Sequence, residues 1–279
     1  MSEVDCYKDS LSIPLDIRSK ELRTLVLNGL EGGGRGHLGP ALSIIEILRS
    51  LYDHVLVHDP PNSKLAVRDR FILSKGHGVL ALYAVLATHG YFPPEEIDTF
   101  CKFDSRLPGH PESGDLPGIE FSTGSLGHGL PVAVGMAMAA RTKNENWKTF
   151  VLIGDGEMAE GSIWESALHA SKHELGHITV IMDYNKMQAS GAINDVLPLE
   201  PILQKWESFG FEVAEVNGHD VLAITNKLLT PSLPVGKPRF LLAHTVKGKG
   251  LSIAENSSKW HHKAKISVDE VNMLREYLA

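Results

Sequence analysis

Thr149-Phe150-Val151-Leu152-Ile153-Gly154-Asp155-Gly156 is an apolar run that ends abruptly in glycine, aspartate and glycine. Twenty-eight residues separate Gly156 from Asn185, which itself follows a second apolar run, Ile178 to Met182. Short runs of this kind fit strands buried on both faces of a parallel sheet. The segment from about Ser162 to His173 has helical character, so the whole reads as a βαβ unit. In open α/β sheets the ligand crevice lies beyond the carboxyl ends of the strands. Asp155 and Asn185 therefore project into one crevice, and a carboxylate beside an amide oxygen suits a hard cation. Flanking glycines let the backbone approach a diphosphate closely. Gly-Asp-Gly also serves as a plain strand-to-helix turn, so the motif needs its context.

Working outward, Ile17, Leu22, Leu25, Val26 and Leu30 mark a helix over 14–30 that stops at Gly32-Gly33-Gly34. A second helix is expected from Leu42 to His54, broken by Asp59-Pro60-Pro61. Phe71-Ile72-Leu73 reads as a strand that leads through Ser74-Lys75-Gly76-His77-Gly78 into an apolar helix from Val79 to Thr88. Pro93-Pro94-Glu95-Glu96 has the form of a helix start. Residues 104–127 are rich in turn formers and form a long loop, a length that marks function or mobility. Leu130 to Ala140 is a helix of small residues, and Asp220 to Leu229 another, set between strands Phe211 to Val216 and Phe240 to Val246. A polar tail, 255–265, precedes a final short helix. No repeat or interdomain linker interrupts this order. The expected fold is an α/β, doubly wound, mainly parallel sheet with helices on both faces, forming a single domain over 1–279.

Bulk properties narrow the function classes. A net charge of −7 opposes nucleic-acid binding, which needs a basic field. Apolar stretches fall far short of the roughly 20 residues of a membrane span, and no secretory signal is visible. Cys6 and Cys101 are too few and too distant for a disulfide framework or a zinc site, and read as free thiols of a reducing, cytoplasmic compartment. His37, His77, His110 and His128 each adjoin a glycine in a loop. Loop histidines are commonly only surface residues, but imidazoles held by a rigid scaffold can donate to oxygens and exchange protons near neutral pH. His169, His173 and His177 follow helical spacing and could face a zinc ion, or could simply mark a solvated helix end.

The spacing between Gly154-Asp155-Gly156 and Asn185 resembles the thiamine diphosphate fingerprint. Further ordered segments extend the likeness over about residues 15–265: Gly36-His37-Leu38-Gly39-Pro40, Asp69 to Gly78, Pro108-Gly109-His110-Pro111-Glu112, Thr123 to Gly129 and Val246-Lys247-Gly248-Lys249-Gly250. In this order they resemble the transketolases. The resemblance implies a thiamine diphosphate-binding fold, with thiamine diphosphate and Mg²⁺ as cofactors and Ca²⁺ or Mn²⁺ as substitutes. It assigns the cation to Asp155, Asn185 and the main-chain carbonyl of Met187. It assigns the cofactor to His77, Gly124, Ser125, Leu126, Asp155, Gly156, Glu160, Asn185 and His261. Glu160 would join a carboxylate network between active sites, although an acid in a helix's first turn has a simpler account in the helix dipole. His37, His110 and His261 would handle the sugar and its protons, with His262 an alternative to His261.

Two departures concern specificity. His128 stands where the family usually has glutamine, and Arg35-Gly36-His37-Leu38-Gly39 replaces a small residue followed by Gly-His-Pro-Gly. The family's pyrimidine-binding domain and its activating glutamate have no counterpart here. The implied protein is the N-terminal subunit of a split transketolase. It would move a two-carbon ketol unit from a ketose phosphate to an aldose, in an assembly with two copies of each chain. The groups that bind a distal phosphate would lie largely on the other subunit. Alternatives are another thiamine diphosphate reaction, namely 2-oxo acid decarboxylation, deoxyxylulose phosphate synthesis or ketol transfer to a specialised acceptor, and a non-catalytic binding or regulatory role.

Overall fold

The computed structural model describes residues 3–114, 116–231 and 236–278. Five strands, β1 (Arg70–Leu73), β2 (Thr149–Gly154), β3 (Ile178–Tyr184), β4 (Glu212–Asn217) and β5 (Arg239–His244), form one sheet in the order β1-β2-β3-β5-β4. Every adjacent pair is parallel. Alternation along the strands explains why their sequences are apolar throughout. Phe150 and Leu152 face one core while Val151 and Ile153 face the other, and Leu241 and Leu242 divide in the same way. Each face is then sealed by helices.

The helices are α1 (Glu3–Ser12), α2 (Ile17–Gly33), α3 (Gly39–Leu42), α4 (Ile45–Arg49), α5 (Val79–Thr88), α6 (Gly129–Thr142), α7 (Gly161–Lys172), α8 (Ile193–Val196), α9 (Ile202–Ser208), α10 (Val221–Leu229) and α11 (Val268–Leu278). Residues of α2, α4, α5, α10 and α11 fill one core, and residues of α6, α7 and α9 the other. Asp16 caps α2 by accepting the Ser19 N–H at 2.7 Å, and Gly34, at φ 61°, ends it in the left-handed region that favours glycine. Asp220 caps α10 in the same way, through the Ala223 N–H at 2.9 Å.

Some elements depart from expectation. The helix expected over Leu42–His54 is broken into α3, α4 and a π-helical segment, Ser50–Val55. Ser50 Oγ donates to the Glu46 carbonyl and to Val221 O, which ties the widened turn to α10. Pro94–Thr99 is a 3₁₀ segment rather than an α-helix, and β5 ends at His244, before the loop 245–250. Helices α1, α8 and α9 lie outside the expected pattern. The rings of His169, in the last turn of α7, and His173, its C-cap, lie 4.4 Å apart and tilted by 53°, but His177 lies beyond the helix end. No group of three or more His, Cys, Asp or Glu among the described residues could hold a metal, which removes the zinc reading. No helix of the described residues is long and apolar enough to cross a membrane.

Candidate active site

The carboxyl ends of β1, β2, β3 and β5 converge on a cavity of about 280 Å³. Lys75 and His77 enter from β1, Gly154-Asp155-Gly156 from β2, Asn185 and Met187 from β3, and Lys247 from the loop after β5. His37, His110, Gly124, Leu126 and His261 complete much of the wall.

Beneath the cavity, Asp183 anchors a buried polar network. It accepts hydrogen bonds from Lys75 Nζ, Thr245 Oγ1, Ser43 Oγ at 2.8 Å and Asn185 Nδ2 at 2.9 Å. Burial alone would raise its pKa, but the Lys75 charge and these donors more than offset that and hold the carboxyl below its ordinary value. Lys75 is thereby paired, and it also donates to the Pro40 carbonyl at 3.1 Å. A second buried acid, Glu157, organises the loops around the cavity. It accepts the Ser74 hydroxyl, the Gly127 N–H at 2.9 Å and the Gly154 N–H at 3.1 Å.

Asp155 is different. Its Oδ1 accepts the Gly156 N–H at 2.7 Å, while Oδ2 is buried with no hydrogen-bond partner among the described residues. Burial and the neighbouring Asp183 push its pKa up to about 7, against a smaller opposing pull from the Gly156 N–H. A buried carboxylate oxygen without a donor is costly unless a cation meets it. Asn185 Oδ1 accepts the Met187 N–H at 3.1 Å, which closes a turn whose middle residue, Lys186, sits at φ 64°. Such a backbone is uncommon outside glycine and suits a turn that fixes an amide oxygen. Lys247 Nζ donates to the carbonyls of Met187 at 3.1 Å and Gln188 at 3.0 Å. Burial and Lys75 lower its pKa to about 8, opposed by Asp155 and Asp183.

On the outer wall, His37 is the hub of an imidazole cluster. Its ring centroid lies 5.6 Å from those of His77, His110 and His261, and 4.4 Å from that of His262. Burial, then the neighbouring imidazoles and Lys75, press the pKa of His37 down to about 3. His261 falls to about 3 through burial and the charges of Lys247 and Lys75. His77 and His110 are also lowered, chiefly by burial. At neutral pH these rings are uncharged, each with one N–H to donate and one nitrogen to accept.

The structure brings together His37, His77, His110, Gly124, Leu126, Asp155, Gly156, Asn185, Met187 and His261. Ser125 and Glu160 are exposed and lie outside the cavity wall. His128 is exposed too, with Nδ1 beside the Leu126 carbonyl. His261 lines the inner cavity, whereas His262 lines an outer one. Lys75, Glu157 and Lys247 also line the cavity; the motif pattern does not single them out, though all three lie inside or next to its segments. A glycine requirement is plain at Gly76, where a Cβ would fall 2.6 Å from Thr123 Oγ1 and 2.9 Å from its carbonyl carbon.

A fully parallel sheet, helices on both faces and polar groups gathered at its carboxyl edge define an α/β ligand-binding protein of the open-sheet class. Known proteins narrow the class. The family described as "Transketolase, thiamine diphosphate binding domain" matches residues 17–279. The chain is 44% identical over 266 residues to one of the subunits of the apulose-4-phosphate transketolase of Actinobacillus succinogenes, over 95% of each chain. It is 41% identical over 250 residues to the SqwG subunit of the 6-deoxy-6-sulfo-D-fructose transketolase of a Clostridium species, covering 90% of this chain and 91% of that one. Among solved structures, transketolase from Campylobacter jejuni superposes with a TM-score of 0.84 at 30% identity, over 94% of this chain but 43% of that chain. The chain belongs to the transketolase family, in its thiamine diphosphate-binding domain. It thus matches the two relatives named as subunits nearly end to end and spans 43% of the Campylobacter transketolase.

Proposed function

We propose that this chain is the diphosphate-binding subunit of a two-subunit transketolase that transfers a two-carbon ketol unit between sugars. The observation that carries the reading is Asp155 Oδ2, buried without a partner among the described residues in the cavity that holds His37, His77, His110 and His261. Asp155, Asn185 and the Met187 carbonyl offer a carboxylate, an amide oxygen and a main-chain oxygen, the oxygen donors Mg²⁺ accepts alongside phosphate and water. Ca²⁺ or Mn²⁺ would substitute. Lys247, His77 and His261, with the main chain of Gly124, Leu126 and Gly156, would hold the diphosphate, whereas Ser125, outside the cavity wall, would not. Glu160, exposed in this chain, is left to an interface.

When bound, thiamine diphosphate supplies the carbon nucleophile and the electron sink of ketol transfer. The chain's own part is position and proton handling. His37 and His110, neutral at the pH of the cell, donate to the hydroxyl and carbonyl oxygens of the sugar and accept protons from them. No carboxylate pairs with either ring among the described residues, so neither is held as an imidazolium.

Relatives that are themselves named as subunits, and the 43% coverage of the Campylobacter enzyme, support a partner that supplies the pyrimidine-binding half and its activating glutamate. An assembly of two copies of each chain is the expected form. Those relatives are named for apulose-4-phosphate and for 6-deoxy-6-sulfo-D-fructose, which favours a specialised sugar over a general one. The test is a ketol-transfer assay with thiamine diphosphate and Mg²⁺. The purified chain alone is expected to be inactive and the reconstituted pair active; turnover by the chain alone, or preferential use of pyruvate by the pair, would overturn the reading.

A further inference from the structure

A second cavity, of about 460 Å³, opens outward from the first and shares His37 and His110 with it. Its wall has two sides. One is the segment Arg35-Gly36-His37 together with His262, and the other runs from Phe100 through Cys101, Lys102, Phe103 and Ser105 to His110. The first side is held rigidly. Gly34 turns at φ 61°, and Gly36 and Lys263 exchange two backbone hydrogen bonds at 3.0 and 2.9 Å, which clamps Arg35 and His262 side by side. On the other side Cys101, at φ 57°, turns the chain so that Lys102 and the fully exposed Phe103 form the outer lip.

Arg35, Lys102 and the imidazoles of His37, His110 and His262 line this cavity, and among the described residues no carboxylate does. Arg35 makes no ion pair with any described residue, whereas Arg106 nearby is neutralised by Glu96 at 2.8 Å. A guanidinium left free at the mouth of a cavity without acids suits a planar or tetrahedral oxyanion. The cavity shares His37 and His110 with the inner one, but Asp155 lines only the inner one. A sugar whose reacting end meets those histidines can extend its other end into this cavity.

We infer that this outer cavity is a subsite for an anionic group, a phosphate or a sulfonate, at the end of the sugar remote from the reacting carbon, with Arg35 as its principal ligand and Lys102 and His262 as supports. This rests on the proposed ketol-transfer reading for the orientation of the sugar, but not for the presence of the anion site. It places part of the remote recognition on this chain rather than on its partner.

Equilibrium titration of the full chain, with thiamine diphosphate and Mg²⁺ present, separates the two. Ketose phosphate, the matching ketose sulfonate and the uncharged ketose are the probes, with wild type compared to Arg35→Gln. Wild type is expected to favour the charged sugars by about tenfold, the scale of one charge-assisted hydrogen bond. Arg35→Gln is expected to erase that preference while leaving the uncharged ketose unchanged. A preference for only one charged sugar would assign the subsite to phosphate or to sulfonate. Cys101 gives a second readout, because it is a half-buried free thiol in the same wall while Cys6 is buried. Bound charged sugar should slow its alkylation in wild type but not in Arg35→Gln. Equal affinity for charged and uncharged sugars in wild type, or a preference that survives Arg35→Gln, would overturn the inference. The ketol-transfer reading fails separately, by absence of turnover in the reconstituted pair.

Discussion

Two buried carboxylates, Glu46 and Asp155, sit in regions of this molecule that handle charge in opposite ways. Glu46 is met on both oxygens. Arg23 donates to them at 2.6 and 3.1 Å, and His219 Nδ1 donates at 2.7 Å. His219 can be assigned as the Nδ1–H tautomer because its Nε2 accepts the Val246 N–H at 2.9 Å. Arg23 also reaches the carbonyls of Leu42 and Lys249. Burial would raise the pKa of Glu46, but Arg23 and His219 hold it far below the carboxylate range. At Asp155 one oxygen has no donor and the pKa rises to about 7. A fully partnered buried acid stitches α2, α4 and the loop after β5 together. A half-partnered one leaves a buried oxygen free to meet a cation.

Removing Glu46 should give the largest effect. Glu46→Ala leaves Arg23 and His219 buried without their acceptor and is expected to cost about 3–5 kcal/mol in urea unfolding. The same pairing predicts acid sensitivity. A depressed carboxylate contributes stability that is present above its ordinary value of 4.5 and lost as pH falls toward its folded value.

Asp155→Asn should act in the opposite direction. The folded pKa of Asp155 is raised from 3.8 to about 7, so the ligand-free chain loses stability as pH climbs through that window and no more above it. The asparagine variant is expected to be more stable than wild type at pH 8, by up to about 4 kcal/mol, and equal to it near pH 4, by thermal unfolding across pH. A stabilisation of similar size at both pH values would break the contrast between the two acids.

Lys247→Met tests whether the cation above the site belongs to the ligand. Thiamine diphosphate affinity should fall roughly tenfold by titration calorimetry, since a charge-assisted contact is lost. Stability should hold or rise, because burial already depresses that ammonium. The smallest effect is expected at His128, which is exposed. His128→Gln should change stability by less than about 0.5 kcal/mol in urea unfolding, with cofactor affinity unaltered in the same calorimetry.

The contrast also explains which parts were legible in sequence. Apolar runs with glycine or proline boundaries, such as Val79 to Thr88 and Phe150 to Ile153, gave strands and helices close to their observed bounds, because two-faced burial leaves a continuous apolar signature. The break at Ser50 was not legible, since it depends on a hydrogen bond to Val221, 171 residues away. In the site, residues flanked by glycine were visible as motifs. Lys75 and Lys247 stood inside those motifs and Glu157 beside one, but their contacts could not be read there, because they are made with residues distant in sequence. The clustering of His37 with four other imidazoles follows only from the convergence of loops distant in sequence.

The most direct test of the account is calorimetric titration of thiamine diphosphate into the chain, with Mg²⁺ and then with chelator, for wild type and Asp155→Asn. Binding that needs the cation in wild type, and that disappears in Asp155→Asn although the variant is folded and more stable at pH 8, is the expected result. Equal, cation-independent binding by both proteins would contradict it.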